Sequence, residues 1–376
     1  MNTEEKLELI TRNTEEVLVR GELQKLLENG EKLKHYIGFE ISGKIHLGTG
    51  LMSMGKVKDF LESGMDCTVF LADWHTWIND KLGGDPELIK KIAVGYFKEG
   101  MKASMKCVGG DPEKIKYVLG TELYHNNDTY WQTVVDVAKN ISLARAMRSI
   151  TIMGRKEGES VDFAKLLYPA MQVADIFIQG VNIAHAGMDQ RKAHVVAKEV
   201  AMKLKIRPLR DKKNNIYSPI AIHHPLILGL QKPAGVVTKE NLKEVLSEVK
   251  MSKSIPNSAV FIHDSPEEIK KKILGAFCEV GNVDYNPLTE WAKHLIFTRE
   301  KGKLEVKRPE KFGGDIDYYT SLELEKDFVE KRLHPMDLKN AVAEALIKIL
   351  EPARKHFEQT KVRKMKEEME SITLTR

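Results

Sequence analysis

The chain has 376 residues, and 42% of them are apolar. That length suits two domains of ordinary size, and that composition supplies a sizeable core and argues against global disorder. A net charge of +5 permits a polyanionic partner without establishing one. No apolar run approaches the roughly 20 residues needed to cross a bilayer. The chain begins with Glu4, Glu5 and Glu8 in a charged amphipathic stretch, with no basic-then-apolar signal region. Cys67, Cys107 and Cys278 are widely spaced and odd in number. This argues against a disulfide framework or a zinc cluster and suits a reducing cytoplasm.

Taken in order, residues up to about Leu27 read as helix, with Glu and Lys on the outer face. His35 to Phe39 reads as a short buried strand, followed by a glycine turn and a helix from about His46 to Leu61. Cys67 to Ala72 is a continuous apolar run bounded by Gly64 and Asp73, and reads as a second buried strand. Pro86 to Val108 is helical, and Ile115 to Leu119 is a third strand. Asn182 to Ala186 is a further strand before a helix from Asp189 to about Leu204, and Ser218 to His223 is another candidate. Strands alternating with helices predict an α/β fold with a parallel, doubly wound sheet.

Gly83-Gly84-Asp85-Pro86-Glu87 is echoed by Gly109-Gly110-Asp111-Pro112-Glu113. We read this as repeated capping chemistry, Asp at the cap and Pro in the first turn. Asp264-Ser265-Pro266-Glu267-Glu268 has the same form and opens a more helical region. The expected domain boundary therefore lies between Ser254 and Asp264. Lys355 to Arg376 is highly charged and reads as a helix that frays.

Two segments carry chemistry. Ser42-Gly43-Lys44-Ile45-His46-Leu47-Gly48-Thr49-Gly50 brings a histidine into a helix start on a glycine-rich turn. Gly38, Gly43 and Gly48 would let the backbone approach a nucleotide. The helix start directs free N–H groups at phosphate, and His46 can donate a hydrogen bond there. Taken alone, the turn is as readily an ordinary strand–turn–helix with a packed histidine. The second segment is Lys250-Met251-Ser252-Lys253-Ser254, a poor core element with two ammonium groups three residues apart. In isolation it could equally be a solvated basic loop.

In this order, the two segments resemble the HIGH and KMSKS signatures of class I aminoacyl-tRNA synthetases. Thr49 stands where the HIGH motif ends in a second histidine. Tyr36-Ile37-Gly38-Phe39-Glu40, Tyr168-Pro169-Ala170-Met171-Gln172-Val173-Ala174-Asp175 and Gly187-Met188-Asp189-Gln190-Arg191-Lys192 are similar to the amino-acid pocket of tyrosyl-tRNA synthetases. Lys311-Phe312-Gly313-Gly314-Asp315 and Leu333-His334-Pro335-Met336-Asp337-Leu338-Lys339-Asn340 resemble the C-terminal domain of the archaeal and eukaryotic branch. The resemblance covers nearly the whole chain.

It implies a Rossmann-like catalytic domain over 1–249, a KMSKS loop and linker over 250–263, and a mostly helical anticodon-binding domain over 264–376. Lys250 and Lys253 would hold the β- and γ-phosphates of ATP as pyrophosphate departs, with His46 as their catalytic partner. Tyr36 and Asp175 would bond the substrate hydroxyl, while Tyr168, Gln172 and Gln190 would hold its ammonium and carboxylate. Arg148 and Arg191 would read the first acceptor-stem pair of tRNA(Tyr), and Phe312, His334 and Asp337 its anticodon. ATP is expected as substrate with Mg2+ on its phosphates, with no protein-bound metal. A cytoplasmic homodimer is expected.

The residues themselves add one argument. Tyr168, Gln172 and Asp175 fall at i, i+4 and i+7, on one face of a helix in which Pro169 suits the first turn. A core face of this kind would bury three polar groups that need partners, and a bound zwitterion with a phenol supplies them. His75, just past a strand's C-terminal end, is as readily structural as a pocket residue. Asp337 has an alternative role as the cap of a helix beginning near Leu338. The nearest rival reading is tryptophan activation, but Tyr36 and Asp175 offer two partners for a hydroxyl and favour a phenol. A catalytically silent RNA-binding relative is disfavoured by intact His46, Lys250 and Lys253.

Overall fold

The structure is a computed structural model and describes residues 1–155, 160–232, 251 and 256–372. Its main sheet has strands β1 (Glu16–Leu18), β2 (Lys34–Phe39), β3 (Asp66–Leu71), β4 (Ile115–Leu119), β5 (Ile183–Gly187) and β6 (Ile220–His224). Their spatial order is β1-β6-β5-β2-β3-β4. All neighbours are parallel except β1, which runs antiparallel along β6 in the register Glu16↔His223. Parallel strands covered on both faces favour apolar residues, which is why β3 reads as a continuous apolar run. The order of connection reverses between β2 and β5. A crevice therefore opens at their C-terminal ends, the position at which ligands of open α/β sheets bind.

The helices that matter for the site are α1 (Ser53–Glu62), α2 (Asp73–Ile78), α3 (Lys98–Cys107), α4 (Asp128–Lys139), α5 (Phe163–Ile178) and α6 (Arg191–Ala201). Beyond the sheet come α7 (Pro266–Leu274), a short hairpin of β7 (Leu304–Val306) and β8 (Ile316–Tyr318), α8 (Pro335–Ile349), α9 (Glu351–Glu358) and α10 (Thr360–Ser371).

Four local expectations need correction. The N-terminal helix is split: Thr3–Thr11 and Arg20–Glu28 flank β1, with left-handed Asn13 (φ 51°) and Val19 (φ 65°) at the breaks. An edge strand is set by its remote partner, so helical periodicity could not reveal it. Pro169 lies inside α5, which begins at the Asp162 cap. Lacking an N–H, Pro169 leaves the Lys165 carbonyl without its usual helical donor. Ser265 caps α7 in a reciprocal box with Glu268, while Asp264 is buried and paired to Lys272 at 2.6 Å. The Asp85 cap does open a helix, whereas Asp111 caps only the three-residue turn Pro112–Lys114.

The last stretch is two helices, α9 and α10, broken where Gln359 turns extended (ψ 129°). Both helices fold back on the sheet layer. His356 bonds Glu99 at 2.8 Å, the Phe357 ring lies 5.7 Å from Tyr96, and Lys91 pairs with Glu368. Glu370 reaches Lys44 of the glycine turn at 3.4 Å.

Candidate active site

A cavity of about 560 Å³ occupies the crevice at the C-terminal ends of β2 and β5. One end is walled by Tyr36, His75, Tyr168 and Gln172, and the other by His46, Gly48, Thr49, Ile227 and Met251, with Glu40, Asp189, Gln190 and His224 along its sides. Five of the side chains expected to contact tyrosine or nucleotide thus meet in one space: Tyr36, His46, Tyr168, Gln172 and Gln190.

Asp175 does not line the cavity and is fully buried behind it. Its Oδ1 accepts from the Tyr124 hydroxyl at 2.9 Å. Its Oδ2 has no hydrogen-bond partner and lies 3.7 Å from His75 Nε2. Burial pushes this carboxyl well above the ordinary range, with donation from Tyr124 opposing the shift. The Tyr36 hydroxyl is raised well above its usual value by burial and then by the charge of Asp175. His75 is buried with both ring nitrogens unpartnered, and burial lowers its pKa to about 3, so its ring is neutral. The ring stands edge-on to Tyr168 at 4.5 Å.

The spacing of Tyr168, Gln172 and Asp175 does put them on one face of α5. Tyr168 donates to Glu40 Oε1 at 2.7 Å. Gln172 Nε2 donates to Gln190 Oε1 at 3.2 Å, and Gln190 Nε2 donates to the Ile152 carbonyl at 2.9 Å. Gln172 Oε1 is left buried without a donor. Orphaned buried acceptors are costly and call for a partner. Together with Asp175 Oδ2, they describe a pocket that is complete only with a polar occupant carrying donors of its own.

At the other end, the glycine turn is tied down on both sides. Leu47 N–H donates to the Val260 carbonyl at 3.1 Å, Ile262 N–H to the Ile45 carbonyl at 3.0 Å, and Ile45 N–H to the Tyr96 hydroxyl at 3.1 Å. Gly43 takes φ 128°, open to glycine, and the helix starts with a wide turn over Gly48–Met52 that continues into α1. Thr49 N–H donates to His46 Nδ1 at 3.3 Å, and Thr49 Oγ1 lies 3.2 Å from His46 Nε2. A ring that accepts at Nδ1 carries its proton on Nε2 when neutral. Gly38 lines the cavity, and a Cβ there would stand 2.6 Å from the Tyr36 hydroxyl. Lys250 and Lys253 lie outside the described residues. Met251, between them, is buried, lines the cavity, and donates its N–H to the Ile227 carbonyl at 3.0 Å.

The residues expected to meet RNA lie elsewhere. Arg148 is exposed, and its carbonyl accepts from Lys192 at 3.0 Å. Arg191, at the start of α6, grips Glu16 with two nitrogens, Nε and Nη2, each at 2.8 Å from an oxygen. Phe312 is 61% exposed, enough to offer a free ring face, on a turn closed by left-handed Gly313 and Gly314. Arg308 bonds both the Gly314 and Arg332 carbonyls, at 2.6 and 2.8 Å. It thereby ties that turn to the segment leading into His334. His334, and not Asp337, caps α8: its Nδ1 accepts from Met336 N–H at 3.2 Å. The helix begins at Pro335, so Asp337 sits inside its first turn, where a carboxylate suits the dipole.

Sequence reasoning assigned no role to Tyr124, Glu40, Asp189 or His224. Glu40, Asp189 and His224 each stand at or just past the C-terminal end of a parallel strand, a usable signal. Nothing local marks Tyr124, which reaches Asp175 from another part of the chain.

Comparison with known proteins agrees with this geometry. The family model for class I tRNA synthetases (W and Y) matches residues 28–351. A tyrosine–tRNA ligase of Thermococcus sibiricus is 59% identical, covering 100% of both chains. The tyrosyl-tRNA synthetase of Pyrococcus horikoshii complexed with L-tyrosine superposes with a TM-score of 0.94 at 55% identity, covering 98% of this chain and 100% of that one. The Aeropyrum pernix tyrosyl-tRNA synthetase gives a TM-score of 0.82 at 40% identity, covering 98% and 99%. This chain belongs to the class I tRNA synthetases, in the family of tyrosine–tRNA ligases.

Proposed function

We infer that this chain activates L-tyrosine with ATP, giving tyrosyl-adenylate and pyrophosphate, and then transfers the tyrosyl group to the 3′ end of tRNA(Tyr). The observation that carries the reading is the buried Asp175 carboxylate, with Oδ1 engaged and Oδ2 unpartnered, directly behind the Tyr36 and His75 side chains that line the cavity. A phenol hydroxyl donates to that oxygen, and Tyr36 completes its coordination. An indole N–H only donates and offers no lone pair to Tyr36, which favours tyrosine over tryptophan. Gln172 Oε1 accepts from the substrate ammonium, beside Tyr168 and Gln190.

In the first step a tyrosine carboxylate oxygen attacks the α-phosphorus in line, and the bond to the bridging oxygen of pyrophosphate breaks. The protein contributes position and charge, with no covalent intermediate. Thr49 N–H keeps the proton of His46 on Nε2, and that N–H, which lies 3.2 Å from Thr49 Oγ1, passes from the hydroxyl to the α-phosphate as charge develops. A threonine thus serves where the signature carries a second histidine. Lys250 and Lys253 hold the β- and γ-phosphates. Magnesium enters with ATP, held by phosphate oxygens and water. In the second step a terminal ribose hydroxyl attacks the adenylate carbonyl, and AMP leaves.

Residues 1–249 carry the chemistry and the acceptor-stem contacts of Arg148 and Arg191. Residues 250–263 form the loop and linker, and residues 264–376 read the anticodon through Phe312, His334 and Asp337. A homodimer is supported by exposed apolar side chains on two packed helices: Trp131 and Val135 on α4, and Phe163 and Leu167 on α5. The three cysteines are free and suit the cytoplasm, where translation occurs. No described helix is long and apolar enough to cross a membrane.

The test is amino-acid-dependent ATP–pyrophosphate exchange with tyrosine, tryptophan and phenylalanine. Exchange with tyrosine alone is expected, and exchange with tryptophan in preference would overturn the reading. Sedimentation velocity tests the dimer.

A further inference from the structure

A network of charge and hydrogen bonds lies at the rim of the cavity, and the function above uses only one of its members. Arg191 Nε and Nη2 each stand 2.8 Å from an oxygen of Glu16. Glu16 Oε2 also lies 3.1 Å from His223 Nδ1, and His223 Nε2 lies 2.9 Å from His194 Nδ1. Both histidines are buried, whereas the Arg191 side chain is 44% exposed and can still be reached by a partner. Gln190 and His224 line the cavity, and Arg191 and His223 are their chain neighbours.

Each of these hydrogen bonds has one allowed direction. The Arg191 bonds hold the Glu16 carboxyl below its ordinary value, so it is ionised at neutral pH and only accepts. His223 Nδ1 therefore carries the proton that bonds Oε2. Burial lowers the pKa of His194 to about 3 and moves that of His223 down as well, so both rings are neutral. His223 Nε2 is then a lone pair, and it accepts from His194 Nδ1–H. Glu16 thus receives three donors, two from Arg191 and one from His223.

The edge strand explains how Glu16 comes to stand there. β1 pairs with β6 in the register Glu16↔His223, which sets the carboxylate beside His223 and against the start of α6. The grip uses the Nε side of the guanidinium. Nη1 makes no hydrogen bond among the described residues, and Nη2 keeps a second N–H. Together they form a two-donor fork, the arrangement that matches two acceptors on one edge of a base, as in guanine O6 and N7. A long side chain already held in one rotamer incurs its ordering cost on folding, not on meeting RNA.

We propose that Glu16, anchored by His223 and His194, is a positioning residue that holds Arg191 in one rotamer and leaves its Nη1–Nη2 fork for the first acceptor-stem pair of the tRNA. The proposal rests on the functional reading above, in which Arg191 meets that pair. Transfer requires the 3′ end of the RNA to enter the cavity, which brings the acceptor stem to the rim where this network lies. The advantage falls on the choice of RNA and not on adenylate formation.

The experiment charges tRNA(Tyr) transcripts carrying the native first acceptor-stem pair, or that pair reversed, and compares kcat/KM for the parent, Glu16→Ala, Glu16→Gln, Arg191→Ala and the double variant Glu16→Ala/Arg191→Ala. Loss of a bidentate arginine contact should cut the preference for the native pair by about 10–100-fold in Arg191→Ala. Glu16→Ala should cut the same preference by about 2–10-fold, the scale of ordering one long side chain. The double variant should be no worse than Arg191→Ala, because Glu16 acts only through Arg191. Glu16→Gln keeps the volume and one acceptor, so it guards against misfolding and should fall between the parent and Glu16→Ala. Its pyrophosphate exchange, which needs no RNA, should stay within about twofold of the parent. Parental preference in folded Glu16→Ala and Glu16→Gln, or fully additive losses in the double variant, would overturn the proposal. Exchange falling in step with charging, with a lower melting temperature, would overturn it too and leave Glu16 as a structural tie. Parental preference in Arg191→Ala would instead remove the reading of Arg191 on which the proposal stands.

Discussion

Asp175→Ala should collapse the discrimination between tyrosine and phenylalanine. In the parent, Asp175 is fully buried, Tyr124 holds Oδ1 at 2.9 Å, and Oδ2 has no donor from the protein. A hydrogen bond to a charged acceptor contributes about 1.5–3 kcal/mol, and leaving that acceptor buried and unpaired costs about 1–3 kcal/mol more. Phenylalanine forfeits the first and incurs the second, a difference of about 3–6 kcal/mol. At about 1.4 kcal/mol per decade, that is roughly two to four decades in kcat/KM. Sites that pair a substrate hydroxyl reject the analogue lacking it by about 10⁴–10⁵, tyrosine activation being the standard example of that range, and the local estimate meets its lower end. With alanine at 175, both terms vanish, and the preference should fall to about 10² or less. Pyrophosphate exchange with each amino acid measures the ratio. Asp175→Asn is the control for folding, since it keeps the volume and an acceptor for Tyr124. If Asp175→Ala is folded and rejects phenylalanine as strongly as the parent, the phenol is read elsewhere and the reasoning fails.

Lys253→Ala should slow single-turnover adenylate formation by about 10²–10³ with little change in tyrosine affinity, because its contact is to charge that develops on pyrophosphate; unchanged single-turnover rates would remove the loop from the mechanism. Phe312→Ala should impair aminoacylation by an amount consistent with about 1–3 kcal/mol of lost base stacking while leaving pyrophosphate exchange intact. Asp337→Ala should lose the preference for guanine at the first anticodon position without a large fall in melting temperature, because His334 caps that helix; equal losses on all anticodon variants with a lower melting temperature would favour a structural role. Burial raises the Glu290 carboxyl to about 7, opposed by donation from Leu228 N–H at 2.7 Å. A raised folded-state pKa gives stability that is complete below the unfolded value and lost as pH climbs through the folded one. Unfolding free energy should therefore fall by up to about 3 kcal/mol between pH 4.5 and 7, and Glu290→Gln should flatten that slope in guanidinium titrations.

The alternating apolar runs at His35–Phe39, Cys67–Ala72 and Ile115–Leu119 determined the parallel sheet by themselves. A strand covered on both faces has no freedom to be polar, so its composition carries its position. The glycine turn, the face of Tyr168, Gln172 and Asp175, and the start of α6 were legible for the same reason: each is a local pattern with a period or a backbone demand. Tertiary structure decided what depends on remote partners. It split the N-terminal helix around β1, because an edge strand takes its conformation from β6. It gave Asp175 to Tyr124 and Tyr168 to Glu40. It also turned scattered histidines at 35, 185 and 224 into one line, since adjacency across a sheet follows strand order and not chain order. Hydrogen bonds act over about 3 Å of space, and a sequence specifies that distance only after the chain has folded.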